Sequence, residues 1–306
     1  MKEVNFFDHN SKHLYHGDEV VVQAVPSKSV SEKIKFVRGR MEYDGVTIFT
    51  DTYLYDDVVS QVKSKYKIGW LMEQRHVTSA VDAFKKIDEL INQFDFIMTY
   101  DPELLEKYPE KTRLVPLAYS WIRPQDIKVH PKTKNTSMIY SARQSIDGHY
   151  LRHRIGDYYQ SLSNEWPKFP GIKLPQIELF GTGQKNEDGS AFWDGGFEHK
   201  SLGLIDYRFS VVIENTTDIN YFTEKIIDCF LTGTVPIYWG CPNIGDFFDP
   251  RGIVHVETYE DIINAIETLT ESDYERMMPY VLANFEKALP YRFHEDTVYE
   301  HIKDLN

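Results

Sequence analysis

The sequence is poor in cysteine, since its 306 residues include only two, Cys229 and Cys241. Two cysteines cannot build a disulfide-dense scaffold or a cysteine-rich zinc site. No apolar run approaches the roughly 18 residues that a membrane span requires, and the first residues contain no signal-peptide core. We therefore expect a cytoplasmic protein without a membrane span.

Positive charge is also scarce, because 34 Lys and Arg residues face 47 Asp and Glu residues, a net charge of −13. This acidic balance disfavours a general nucleic-acid or anionic-membrane binder. No GxxxxGK[ST] motif occurs, which argues against a P-loop NTPase. No Asp-x-Asp pair, a common metal-bridging signature, occurs either. Any site for phosphate would need a local concentration of positive charge. Hydrophobic residues reach 42%, enough for the cores of two ordinary domains.

Strand and helix patterns alternate along the first third of the chain. The periodicity predicts strands at 46–50, 67–72, 95–99 and 114–117. Between them, residues 79–94 place apolar side chains at helical spacing, with Ser79 as a candidate N-cap. This rhythm is typical of a parallel sheet.

A second α/β run follows residues 123–136, a polar segment with two prolines that we interpret as a linker. The patterns predict strands at 138–140, 177–180, 209–213 and 235–238, and helices at 148–163, 221–232, 259–269 and 274–289. We therefore predict an α/β protein with two Rossmann-like domains, residues 1–130 and 131–290, that face a cleft. In such sheets ligands bind beyond the carboxyl ends of the strands.

Residues 209–250 form the most informative segment and read as strand, loop, helix and strand. The helix is predicted from about Tyr221 to Gly233, a residue suited to follow a helix end. Its first turn carries Glu224 and Lys225, and the free N–H groups at a helix N-terminus favour an anion. Lys225 would add a point charge for a phosphate. The alternative is a solvated Glu/Lys helix face, but the polar Glu214 and the adjacent Asn215, directly after a buried strand, favour a site.

The string FSVVIEN…Y..TEKIIDCFLTGTVPIYWG.P closely resembles the donor-binding signature of the α-1,3-fucosyltransferases, glycosyltransferase family 10. Residues 148–152, Gly-His-Tyr-Leu-Arg, are similar to the phosphate-side segment of bacterial members. Residues 177–183 resemble their strand and YGxG turn, and residues 70–73 resemble the short acidic segment of their acceptor domain. The resemblance covers mainly the second half of the chain, and residues 1–66 carry little that is diagnostic.

The resemblance implies a bacterial or viral type of inverting glycosyltransferase with the two-domain GT-B fold. It would bind GDP-fucose in residues 131–290 and the acceptor mainly on residues 1–130, with residues 291–306 packing back on the first domain. The acceptor would be a glycan hydroxyl, on a GlcNAc or glucose unit with α-1,3 linkage. No cofactor and no metal would be required. The alternatives are a different nucleotide sugar, or a non-catalytic relative that binds a glycan or a nucleotide.

The resemblance also carries residue roles onto matching positions. It implies donor-binding roles for Asn215, Tyr221, Glu224, Lys225 and Arg152, with Arg154 as a second candidate for the diphosphate and Glu214 bracing the loop or packing near the nucleotide. Lys225 would face the diphosphate, and Glu224 would face sugar or ribose hydroxyls. Glu73 matches the carboxylate that serves as general base, although the usual Glu-Ser-Pro reads Glu-Gln-Arg here.

The chemistry of inverting transfer needs these residue types. A base must take the proton of the acceptor hydroxyl as that oxygen attacks the anomeric carbon, and a carboxylate can do so within hydrogen-bond reach. The departing diphosphate needs cations or oriented donors. The predicted catalytic residues are therefore Glu73, Lys225 and Arg152. A structural alternative for Glu73 is a surface or hinge carboxylate.

Overall fold

The computed structural model describes residues 1–7, 15–16, 19–20, 31–75, 78–165, 177–181 and 197–305. These residues form two sheets with helices packed around them, so the predicted α/β architecture with two Rossmann-like sheets is confirmed. The position Gly183 of the predicted glycine turn lies outside the described residues. Across the described residues, the helices are too short or too polar to cross a membrane.

The first sheet contains eight strands in the order β2-β3-β4-β1-β5-β6-β7-β8. The strands from β4 to β8 in that order pair in parallel, whereas β2 and β3 add an antiparallel edge. Their bounds are β1 Lys2–Phe7, β2 Tyr15–His16, β3 Glu19–Val20, β4 Ile34–Arg38, β5 Glu42–Thr50, β6 Lys63–Trp70, β7 Phe96–Thr99 and β8 Thr112–Leu114. The helices in this part are α1 Val58–Gln61, α2 Thr78–Leu90 and α3 Pro102–Lys107.

The second sheet has five parallel strands in the order β10-β9-β11-β12-β13. Its strands are β9 Lys134–Tyr140, β10 Ile177–Gly181, β11 Tyr207–Ile213, β12 Val235–Trp239 and β13 Val254–His255. Every residue of β11 is buried, which explains its unbroken apolar run in a sheet covered on both faces. The helices that follow are α4 Asp147–Glu165, α5 Glu224–Thr232, α6 Tyr259–Thr268, α7 Glu271–Ala288 and α8 His294–Ile302.

The start of α5 differs from the prediction. The helix begins at Glu224, not at Tyr221, because Thr223 is extended and its hydroxyl caps the backbone N–H of Lys225. Just upstream, Asn220 has a left-handed φ of 61°, which turns the chain away from a helical path. Tyr221 therefore belongs to the loop. The predicted end is confirmed, since Gly233 closes the helix with a φ of 72°.

The last helix, α8, packs on the first sheet although it follows the second sheet in the chain. Val298 and Ile302 are buried in the same apolar cluster as Val4 and Ile68. The Ser31 hydroxyl donates a hydrogen bond of 2.5 Å to Asp296. The chain thus passes from one sheet to the other twice. The domain limits at 130 and 290 stay predictions.

Asp228, on α5, ties the second sheet to the segment that leaves the first. Its carboxylate accepts hydrogen bonds from the Ser120 hydroxyl at 2.7 Å and from the Trp121 backbone N–H at 2.9 Å. Its other oxygen lies 2.7 Å from the ammonium of Lys200, and both side chains are buried. Tertiary contacts therefore bury a carboxylate that a solvated helix face would expose.

We expect Asp228→Ala to lower the free energy of unfolding by about 3–5 kcal/mol, because it removes the nearer of the two carboxylates that pair with the buried Lys200 ammonium. Denaturant titration of both proteins measures the difference. Asp88→Ala is the matched control, since Asp88 pairs with Lys107 at 2.8 Å on the surface, where an ion pair stabilises little. Equal losses in the two variants would contradict the structural role of Asp228.

Candidate functional site

The loop of residues 214–223 between β11 and α5, the β11–α5 loop, is held by a buried carboxylate. Glu214 is fully buried, and it accepts hydrogen bonds from the backbone N–H of Thr223 at 2.9 Å and from its hydroxyl at 2.7 Å. These two contacts close the loop onto the first residue before α5. The N-terminus of α5 therefore faces the carboxyl edge of the sheet.

Lys225 lies at this helix start with its ammonium among carboxylates. Its Nζ is 3.4 Å from Glu214 and 3.3 Å from Glu224, and it donates to the Thr223 hydroxyl at 2.9 Å. The side chain keeps 23% of its surface exposed, whereas Glu214 keeps none. The loop thus presents one accessible cation above buried negative charge.

Glu224 is ionised in this environment. Burial acts to raise the pKa of Glu224, but the ammonium groups of Lys225 and Lys200 outweigh it and lower the pKa to about 2. The buried Lys200 lies 3.8 Å from the same carboxylate oxygen that the Lys225 ammonium approaches to 3.3 Å. A carboxylate held in this state can accept hydrogen bonds from hydroxyl groups at neutral pH.

Arg152 lies behind the β11–α5 loop and is buried. Its guanidinium donates through Nε at 3.0 Å and Nη2 at 2.5 Å to the carbonyl of Ile213, and through Nη2 at 3.0 Å to the Asn215 side chain. Gly148 allows this approach, since a Cβ there would lie 1.9 Å from the Glu214 carbonyl oxygen. Arg152 therefore fixes Asn215 and the end of β11.

Arg154 is not brought to this site. Its side chain is 61% exposed, stacks on the Tyr259 ring at 3.7 Å and lies 3.7 Å from Glu260. Both arginines are on α4, and two positions along a helix turn a side chain by about 200°. The helix that points Arg152 at Asn215 must therefore point Arg154 toward α6.

Tyr221 and its neighbours join the β11–α5 loop to the first sheet. Tyr221 is buried against Tyr100, with ring centroids 5.2 Å apart, and the Asn220 side chain donates to the Tyr100 carbonyl at 3.1 Å. The Gln74 side chain donates a hydrogen bond to the Thr216 hydroxyl. These contacts set the carboxyl edge of one sheet against that of the other.

Glu73 follows β6 at this junction. Asp51, which has a φ of 39°, accepts hydrogen bonds from the backbone N–H groups of Met72 at 3.0 Å and Glu73 at 3.2 Å. Burial raises the pKa of Glu73, and the positive charges of Arg143 and Lys225 partly oppose the rise. Glu73 and Lys225 therefore lie within electrostatic reach, although they belong to different sheets.

The structure adds polar residues that the sequence patterns had not singled out. Tyr119 lies near the carboxylates, since burial and the charges of Glu224 and Glu73 raise its pKa. Arg143 adds positive charge that acts on Glu73, and Lys200 adds an ammonium 3.8 Å from Glu224. Only the capping Thr223 had a local signal, because threonine before a helix start is a favoured N-cap. Among the described residues, no group of three His, Cys, Asp or Glu side chains could hold a metal.

Comparison with known proteins agrees with the resemblance. The family model described as glycosyltransferase family 10 (fucosyltransferase) C-term matches residues 172–282. The alpha-(1,3)-fucosyltransferase FucT of Helicobacter pylori is 39% identical over 70 residues, which are 23% of this chain and 15% of that protein. An alpha-(1,4)-fucosyltransferase of Arabidopsis thaliana is 36% identical over 58 residues, 19% of this chain and 14% of that protein. The matches therefore span about a seventh of these relatives.

Two solved structures also align with the chain at low identity. A crystal structure of alpha1,3-fucosyltransferase with GDP is 15% identical, covering 84% of this chain and 79% of that chain with a TM-score of 0.49. A crystal structure of TarM is 14% identical, covering 84% and 54%, with a TM-score of 0.47. The sequence match to glycosyltransferase family 10 is confined to residues 172–282, the segment that holds β11, α5 and the loop between them.

Proposed function

We propose that the protein transfers L-fucose from GDP-fucose to a hydroxyl of an acceptor glycan, with inversion at the anomeric carbon. One observation carries this proposal: Lys225 and Glu73 lie within electrostatic reach of each other across the junction of the two sheets. The Lys225 side chain is 23% exposed and lies beside the ionised Glu224. A cation and a base on opposite sides of one space suit a single displacement. The family match supports the donor.

In this proposal Glu73 accepts the proton of the acceptor hydroxyl while its oxygen attacks the anomeric carbon from the face opposite the diphosphate. Burial raises the pKa of Glu73, which makes it a stronger base than an exposed carboxylate. The bond from the anomeric carbon to the diphosphate oxygen breaks, and GDP leaves with the electron pair. Inverting hydrolysis follows the same geometry with water as the nucleophile.

The leaving diphosphate is stabilised at the start of α5. Lys225 offers its ammonium and the helix start offers backbone N–H groups, both favourable to an anion. Arg152 contributes its charge from its buried position behind Asn215. Glu224 and Asn215 offer acceptors for sugar or ribose hydroxyls, and Tyr221 shapes the wall. These roles need no metal, and unchanged transfer in excess EDTA is the expected result.

For the acceptor, we propose only the chemical class, a glycan hydroxyl. The family resemblance favours a GlcNAc or glucose unit and an α-1,3 linkage. Glu73 lies in the part of the chain that carries the first sheet, so the acceptor hydroxyl is expected beside the end of β6. Product linkage from an acceptor panel, read by NMR, would identify it.

We expect GDP to raise the melting temperature of the protein far more than UDP or ADP do. A ligand at a hundred times its dissociation constant stabilises the folded state by about 2.7 kcal/mol. A thermal-shift titration with the three nucleotides, followed by an assay of GDP release from GDP-fucose, measures donor and activity separately. Preference for UDP or ADP would favour another nucleotide sugar, and GDP binding without GDP release across an acceptor panel would favour a non-catalytic relative.

A further inference from the structure

Arg143 lies in the loop of residues 141–146 that joins β9 to α4. Strand β9 pairs directly with β11, with Met138 opposite Val211, so this loop opens at the same edge of the sheet as the β11–α5 loop. The start of α4, directly after this loop, contacts the β11–α5 loop, because the backbone N–H of Gly148 donates to the Asn215 carbonyl at 3.1 Å. Arg143 itself is exposed.

The charge of Arg143 acts on the Glu73 carboxylate without forming a close ion pair. Within the part of the chain that the structure describes, no carboxylate lies within ion-pair distance of its guanidinium, whereas Arg154 has Glu260 at 3.7 Å. The groups on which the charge of Arg143 acts belong to the candidate site or lie next to it. Burial lowers the pKa of His149 to about 4, and the charges of Arg152, Arg143 and Lys225 add to that effect. Arg143 and Lys225 are also the two cations that act on Glu73.

Arg152 is less available to a ligand than its charge suggests. Its Nε and Nη2 are engaged by the Ile213 carbonyl and the Asn215 side chain, and the residue is buried. Turning it toward a ligand would leave the Ile213 carbonyl without these donors. An exposed guanidinium can instead rotate freely and bind a phosphate through two parallel hydrogen bonds.

We propose that Arg143 binds the diphosphate of the nucleotide sugar directly, opposite Lys225, and that Arg152 acts as a positioning residue for Asn215. This inference rests on the proposed function. It assigns to the exposed Arg143, in the β9–α4 loop, a contact with the diphosphate that the family resemblance had assigned to an arginine of α4. Arg143, after β9, and Lys225, after β11, would then hold the diphosphate at the carboxyl edge of the second sheet, where these two strands are neighbours.

The test compares GDP binding by Arg143→Ala, Arg143→Lys and Arg154→Ala with binding by the wild-type protein, using isothermal titration calorimetry. Arg154→Ala removes the same charge from an exposed arginine that lies on the other side of α4. We expect Arg143→Ala to raise the Kd for GDP at least tenfold and Arg143→Lys to raise it less. Arg154→Ala should leave it within twofold. Guanosine, which lacks phosphates, should bind the wild-type and Arg143→Ala proteins equally.

Unchanged GDP affinity in Arg143→Ala would overturn the role of Arg143 while leaving the proposed function in place. An equal loss in Arg154→Ala would also overturn it, because the effect would then be one of general charge. An equal loss of guanosine affinity would do the same, since the variant would have altered the base site. If the wild-type protein binds neither GDP nor GDP-fucose, the proposed function and this inference fail together.

Discussion

We expect Glu73→Gln to lower the rate of fucose transfer by about 10²- to 10⁴-fold, the range that a positioned general base contributes. Glutamine keeps the size of the side chain and its place after β6, but its amide cannot accept the proton of an acceptor hydroxyl. GDP affinity should stay unchanged, because Glu73 lies on the side away from the nucleotide in the proposed arrangement. Initial rates of GDP release with saturating acceptor, together with calorimetric GDP binding, measure both quantities.

The pH dependence of the wild-type enzyme gives a second measure of the same residue. A base acts when it is deprotonated, so activity is retained above the pKa of Glu73 and lost as the pH falls through it. Burial raises this pKa, so the acidic limb of kcat/KM should lie at higher pH than an exposed glutamate would give. In Glu73→Gln that limb should disappear from the residual activity.

Glu106→Gln is the matched control for this variant, since Glu106 is an exposed carboxylate in the same part of the chain. It should transfer fucose at the wild-type rate with the wild-type acidic limb. A Glu73→Gln enzyme that keeps its rate and its acidic limb would exclude the base role. Glu73 would then be a hinge carboxylate held near Asp51.

The second large effect is expected from Lys225→Ala, which should lower kcat by about 10²-fold or more. In the proposed arrangement the ammonium faces the position where the diphosphate gains charge as it leaves, and removing one such contact costs about 3 kcal/mol in the transition state. The substitution also removes the cation 3.3 Å from Glu224 and 3.4 Å from Glu214. A loss of folding stability could therefore accompany the loss of rate, so each variant is compared at a temperature well below its melting transition.

Lys225→Arg separates charge from shape at this position. Arginine keeps the positive charge but replaces a compact ammonium by a planar fork, so partial recovery of the rate is expected. Lys85→Ala, at an exposed lysine of α2, should leave the rate unchanged. A Lys225→Ala enzyme with near-normal turnover would show that the leaving group is stabilised by other groups.

Local signals were sufficient to predict the centre of the second sheet. The unbroken apolar run of β11, the helix after it and Gly233 at its end each follow from a few neighbouring residues, and the structure contains all three, although the helix begins at Glu224 and not at Tyr221. The family string lies in the same segment. In the first sheet β1 and β4 had no such signal, because residues 1–45 show no pattern clear enough to place strands.

The sequence by itself determined the α/β class, the resemblance to glycosyltransferase family 10 and the helix that carries Glu224 and Lys225. Only the tertiary structure decided which charges are accessible. It buried Arg152 against Asn215, turned Arg154 to the far side of α4, left Arg143 exposed and brought Glu73 near Lys225. The reason is physical: the burial and pairing of a charged side chain depend on segments far away in the chain, and a local pattern carries no information about them.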